Sequence, residues 1–76
     1  MNKNIENLMF AIIKQSIYDI RNGLDNHTFD KNFLSAINFI SKCDYFNSMD
    51  LIRNELKKEI FSKTNDIDII NRIKEW

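Results

Sequence analysis

A chain of 76 residues is a single domain with room for only a thin core. Its 11 basic and 11 acidic residues cancel, and within residues 1–38 Lys3, Lys14, Arg21 and Lys31 stand against Glu6, Asp19, Asp25 and Asp30. That balance argues against nucleic acid as a partner, because phosphate contacts draw on a basic excess. One cysteine, Cys43, and one histidine, His27, exclude an internal disulfide and count against a structural zinc site.

No cofactor is expected, so support must come from helix packing, self-association or a larger partner. The residues from Met1 to Glu6 are polar and lack the pattern of a signal peptide. No run approaches the roughly 20 apolar residues of a membrane span. The expectation is a cytoplasmic protein. Ile (13), Asn (11) and Lys (8) supply 32 of the 76 residues. Their codons are rich in A and T, which points to an AT-rich genome such as that of a low-GC bacterium or its phage.

The absence of proline and the single glycine, Gly23, favour long helices. From Asn2 to Asn22, Ile5, Leu8, Met9, Ile12, Ile13, Ile17 and Ile20 recur at a period near 3.6 and predict a first helix with one broad buried face. Gly23 is placed to stop it in the left-handed conformation. In the connector "LDNHT", Thr28 or Asp30 is expected to cap a second helix running to about Lys42. Phe29, Phe33, Ala36, Ile37, Ile40 and Cys43 share its face, flanked by Leu34 and Phe39.

"CDYFNS" reads as a break, with Asn47 or Ser48 capping a third helix whose stripe is Met49, Ile52, Leu56 and Ile60. Leu51 and Phe61 lie off that stripe, facing either a fourth helix or solvent. After "KTND", Thr64 or Asn65 is the expected cap of a short last helix. Asp66 and Asp68 lie in its first turn, where the helix dipole favours negative charge, and Ile69, Ile70, Ile73 and Trp76 form its apolar side. The predicted fold is all-α, a small bundle of three helices plus a short fourth.

Catalytic patterns are sparse. One glycine rules out a phosphate-binding loop. Cys43 falls on an apolar face and His27 in a turn, so a buried small side chain and an exposed loop histidine account for them. "DNHTFD" offers Asp25, Asn26, His27 and Asp30 but lacks the glycine and final glutamate of a calcium loop. Glu55 and Glu59 are four apart, with Lys58 and Lys63 close by. Glu59–Lys63 is the favourable order for an ion pair within a helix, so a solvated charged face is the simpler reading. The chain is therefore read as non-enzymatic.

Two surfaces remain as candidates. Phe10, Lys14, Tyr18 and Arg21 follow one another at spacings of 4, 4 and 3 along the first helix and form a mixed aromatic and basic ridge. Tyrosine and arginine are enriched in interface hot spots. The alternative is a helix-turn-helix in which the third helix presents Arg53, Asn54, Lys57 and Lys58 to nucleic acid. Chain neutrality and Asp50 and Glu55 nearby speak against it.

"AIIKQSIYDIRNG", "AINFISKCDYF" and "DLIRNEL", within residues 8–56, resemble a pattern in short helical proteins of unknown function encoded by phages and prophages. The chain departs from that pattern in having no glycine before its "DLIR" segment. The resemblance implies a phage or mobile-element setting. Small proteins there act by binding, for instance blocking a bacterial defence complex as anti-CRISPR inhibitors do, or modulating transcription. The expected function is thus stoichiometric binding of a larger protein, with a DNA-binding regulator and an immunity or antitoxin-like protein as alternatives. A homodimer fits the thin core equally well.

Overall fold

The periodic apolar run at the start of the chain folds as one helix, α1 (Lys3–Asn26), which dominates a computed structural model describing residues 3–76. Its 24 residues rise about 36 Å, close to the 40 Å long axis of the molecule. Then come α2 (Lys31–Ser41), a single turn α3 (Asp44–Asn47), α4 (Asp50–Lys63) and α5 (Ile67–Ile73). The fold is all-helical across the described residues, with five helices where the sequence suggests four. The extra one is α3. The predicted break "CDYFNS" closes a helical turn because Phe46, inside it, is pulled fully into the core.

Side-chain bonds fix the directions. Met9 Sδ accepts from Cys43 Sγ, while Gly23, fourteen residues further along, packs on Phe33, so α1 and α2 are antiparallel. Arg21 pairs with Glu59 and Asp25 with Lys63, both 38 residues apart, so α1 and α4 are parallel. Arg72 donates to Asn38 and Trp76 Nε1 to Ser41 Oγ, so α5 runs alongside α2 in the same sense. The core lies where these helices converge: Ile20 and Leu24 of α1, Phe33, Ile37 and Ile40 of α2, Phe46, Leu56 and Ile60, and Ile69 and Ile73. Phe46 meets the Trp76 ring edge-on, with centroids 5.4 Å apart. Burying each such side chain contributes about 1.5–3 kcal/mol, so the short α3 and α5 are held by their anchors rather than by length.

Several boundaries differ from the sequence reading. Asn2, the expected start of α1, lies outside the described residues. Gly23 does not stop α1; it is buried inside it, and the helix continues to Asn26. The residue with positive φ is His27, at 51°. Thr28 N–H donates to the Gly23 carbonyl and His27 N–H to that of Leu24, the paired bonds of a Schellman ending. Asp30 caps α2 as expected, accepting from Phe33 N–H at 3.0 Å.

Neither Asn47 nor Ser48 caps α4. Met49 holds that position without a side-chain bond, and the Arg53 guanidinium reaches back to the Asn47 carbonyl and to Asp50. Asp66, rather than Thr64 or Asn65, caps α5, accepting from the Asp68 and Ile69 amides. Thr64 is buried, and its hydroxyl instead accepts from Asp66 N–H.

The largest departure concerns coverage. Ile13, Ile20, Leu56 and Ile60 are buried, but Ile5, Leu8, Ile12 and Ile52, expected on core stripes, are exposed. α2 and α4 are shorter than α1, so no element covers its first turns on one flank. Leu51 and Phe61 do not bury against the last helix; both are exposed, with Lys57 Nζ 5.8 Å from the Phe61 ring centroid. Among the described residues no helix is long and apolar enough to cross a membrane.

Candidate functional site

Because α1 and α4 are parallel with a 38-residue offset, Lys14 lies level with Ile52 and Ile17 with Glu55. A groove of about 440 Å³ lies between the two helices at this level. Ile17 and Ile52 form its apolar floor. Lys14, Tyr18 and Arg21 line the α1 wall and Glu55 the α4 wall. Tyr18 is 65% exposed. Leu51, 74% exposed, adjoins Ile52 on α4.

Of the four ridge residues, Lys14, Tyr18 and Arg21 thus meet at one groove. Phe10 does not line it. Its ring packs edge-on against Tyr45, with centroids 5.7 Å apart, and closes the seam between α1 and α3. Tyr45 in turn donates its hydroxyl to Glu6. Burial and then the Glu6 carboxylate push the phenol above its usual pKa.

Arg21 is anchored at the far end of the groove. Its Nε and Nη2 donate to the two carboxylate oxygens of Glu59 at 2.9 and 3.1 Å, a bidentate geometry that holds the guanidinium in one orientation. The Glu59 bond raises the Arg21 pKa, with burial opposing it. One turn further on, Lys63 donates to Asp25 at 2.7 Å, and that bond raises the Lys63 pKa. Glu59 and Lys63 therefore do not pair with each other within α4, as their spacing suggested. Each finds an opposite charge on α1 because the parallel packing brings the four groups level. By contrast, Lys14 and Glu55 make no ion pair with any described residue. The groove thus carries Lys14 on α1 and Glu55 on α4 outside any salt bridge, with the Glu55 carboxylate acting at longer range on Arg21.

Ile17, Ile52 and Glu55 were not anticipated as site residues. Leu51, off the packing stripe and beside Ile52, was their only sequence signal. The pairing of Ile52 with Lys14 depends on the direction of α4, which periodicity along a single helix does not encode.

The alternative face on α4 is partly consumed by the fold. Arg53 is half-buried, bonded to the Asn47 carbonyl and paired with Asp50 at 2.9 Å. Lys57 Nζ donates to the Lys74 and Trp76 carbonyls at 2.8 and 3.0 Å and so holds the last turn of α5. Asn54 and Lys58 stay exposed. The segment between α2 and α4 contains α3 and a buried Phe46 instead of the short open turn of a helix-turn-helix.

Cys43 is buried, with Met9 Sδ 4.0 Å from its sulfur, and His27 is exposed in the turn after α1. No group of three or more His, Cys, Asp or Glu side chains converges among the described residues. Comparison of the chain with protein-family models, with curated proteins and with solved structures gives no match.

Proposed function

We propose that this protein is a small non-enzymatic binding module that associates stoichiometrically with a larger protein through the α1–α4 groove. The observation that carries the reading is the exposed Tyr18 lining one groove with the apolar Ile17 and Ile52 and with Lys14 and Glu55, neither of which forms a salt bridge. An exposed aromatic beside apolar side chains, rimmed by charged groups, is the arrangement of an interface core and rim. Such a groove suits an amphipathic helix of the partner. Its apolar side chains would enter over Ile17 and Ile52, with an acidic group near Lys14 and a basic one near Glu55. Arg21 is held by Glu59 and acts as a positioning residue that keeps the end of the groove open.

The resemblance to short phage and prophage proteins supports a host protein as the partner. A bacterial defence complex inhibited by occupancy, as by an anti-CRISPR protein, is the reading favoured here. Affinity capture from host lysate tests the proposal when wild type is compared with Tyr18→Ala and Ile52→Asp. Both positions are exposed, so both variants should fold, as circular dichroism will check. One protein retained by wild type and lost with both variants is the expected result. Equal retention by all three removes the groove from consideration. Tight, salt-sensitive binding to random duplex would instead favour nucleic acid.

A further inference from the structure

One flank of the first half of α1, away from the α1–α4 groove, is exposed. α1 rises about 36 Å and its antiparallel neighbour α2 only about 16 Å. Ile5 and Leu8 are 54% and 62% exposed, and Ile12 is exposed with them. At about 100° per residue these three side chains share an arc of roughly 60°, next to Met9. Met9 lines an apolar groove together with Phe39 of α2, Cys43 just before α3, and Tyr45 of α3. One face therefore carries both a protruding apolar ridge and an apolar groove beside it. Lys42 and Asp44 stand at the groove. Both are exposed and neither pairs with a described residue.

We infer that this face pairs two copies of the chain about a two-fold axis, the α1 ridge of each copy entering the groove of the other. A two-fold interface must be self-complementary, which requires projection and recess on the same patch. This patch has both. The rim has one charge of each sign, so the axis can place Lys42 of one copy against Asp44 of the other, twice. The chain carries no net charge, so association meets no overall repulsion.

The inference stands apart from the proposed binding groove, whose centre lies roughly 160° away round α1. Sedimentation velocity from micromolar to millimolar protein tests it. Wild type should show concentration-dependent dimerisation. Leu8→Glu, at an exposed position, should weaken it about tenfold or more with helicity unchanged. Lys42→Asp and Asp44→Lys should each weaken it, and the double exchange should restore it. Tyr18→Ala should leave it unaffected. A wild-type monomer throughout the range overturns the inference, as does a dimer that Tyr18→Ala disrupts and Leu8→Glu does not.

Discussion

A methyl group added at Gly23 would lie 2.5 Å from Phe33 Cδ2 and 2.8 Å from the Thr28 carbonyl oxygen. Phe33 is fully buried and Thr28 O is backbone, so neither can yield easily. Gly23 is thus required by close approach within the helix. The left-handed turn that ends α1 falls on His27, whose side chain is strained there. These two positions give opposite predictions. Gly23→Ala should lower stability by about 1 kcal/mol, the overpacking outweighing the better helix propensity of alanine. His27→Gly should raise it by about 0.5–1 kcal/mol, the relieved strain exceeding the added freedom of the unfolded chain. Urea denaturation measures both. A stabilised Gly23→Ala would mean that Phe33 can move aside. Gly23 was visible in the sequence as special, but its reason was not, because the reason is a ring ten residues away.

At the scale of elements, short helices depend on their ends. α5 has seven residues and no capacity to form alone. Asp66 accepts from two amides of its first turn, at 2.9 and 3.3 Å, while Ile69 and Ile73 anchor it in the core. Asp66→Ala should cost about 1 kcal/mol, and Asp66→Asn much less. Hydrogen exchange should show the α5 amides losing protection first in the alanine variant. Uniform loss across all helices would show instead that α5 does not open on its own. The long periodic faces of α1 and α2 were legible from spacing. The caps of α4 and α5 were not, since Asn47, Ser48, Thr64, Asn65 and Asp66 are all competent side chains and packing chooses among them. α3 escaped notice because a single turn is too short for a period; its cause is the tertiary anchor Phe46.

For the whole molecule, Lys63 and Tyr45 tie separate helices together, and both have raised pKa values. Asp25 is the main cause for Lys63 and burial for Tyr45. In each case the folded state holds its proton more tightly than the unfolded chain. The stabilisation is complete below the unfolded values, about 10.4 for lysine and 10 for tyrosine, and is lost as pH rises through the raised folded values. Thermal stability should therefore change little through the neutral range from these groups and fall in the alkaline one. Lys63→Met and Tyr45→Phe should each flatten that fall. Alkaline slopes identical to wild type would remove these two contacts from the balance.

The sequence by itself determined the helical class, the buried face of α2, the burial of Ile13 and Ile20 on α1 and of Cys43, and the concentration of Lys14, Tyr18 and Arg21 on one side of a helix. All of these follow from local periodicity. Only the tertiary structure decided that α4 runs parallel to α1, which places Ile52 and Glu55 opposite Lys14 and Tyr18 and gives Arg21 to Glu59. It also decided that Ile5, Leu8 and Ile12 stay exposed. The physical reason is the same in both cases: a helix's period specifies which face is apolar, whereas the length and direction of its neighbours specify how much of that face is buried.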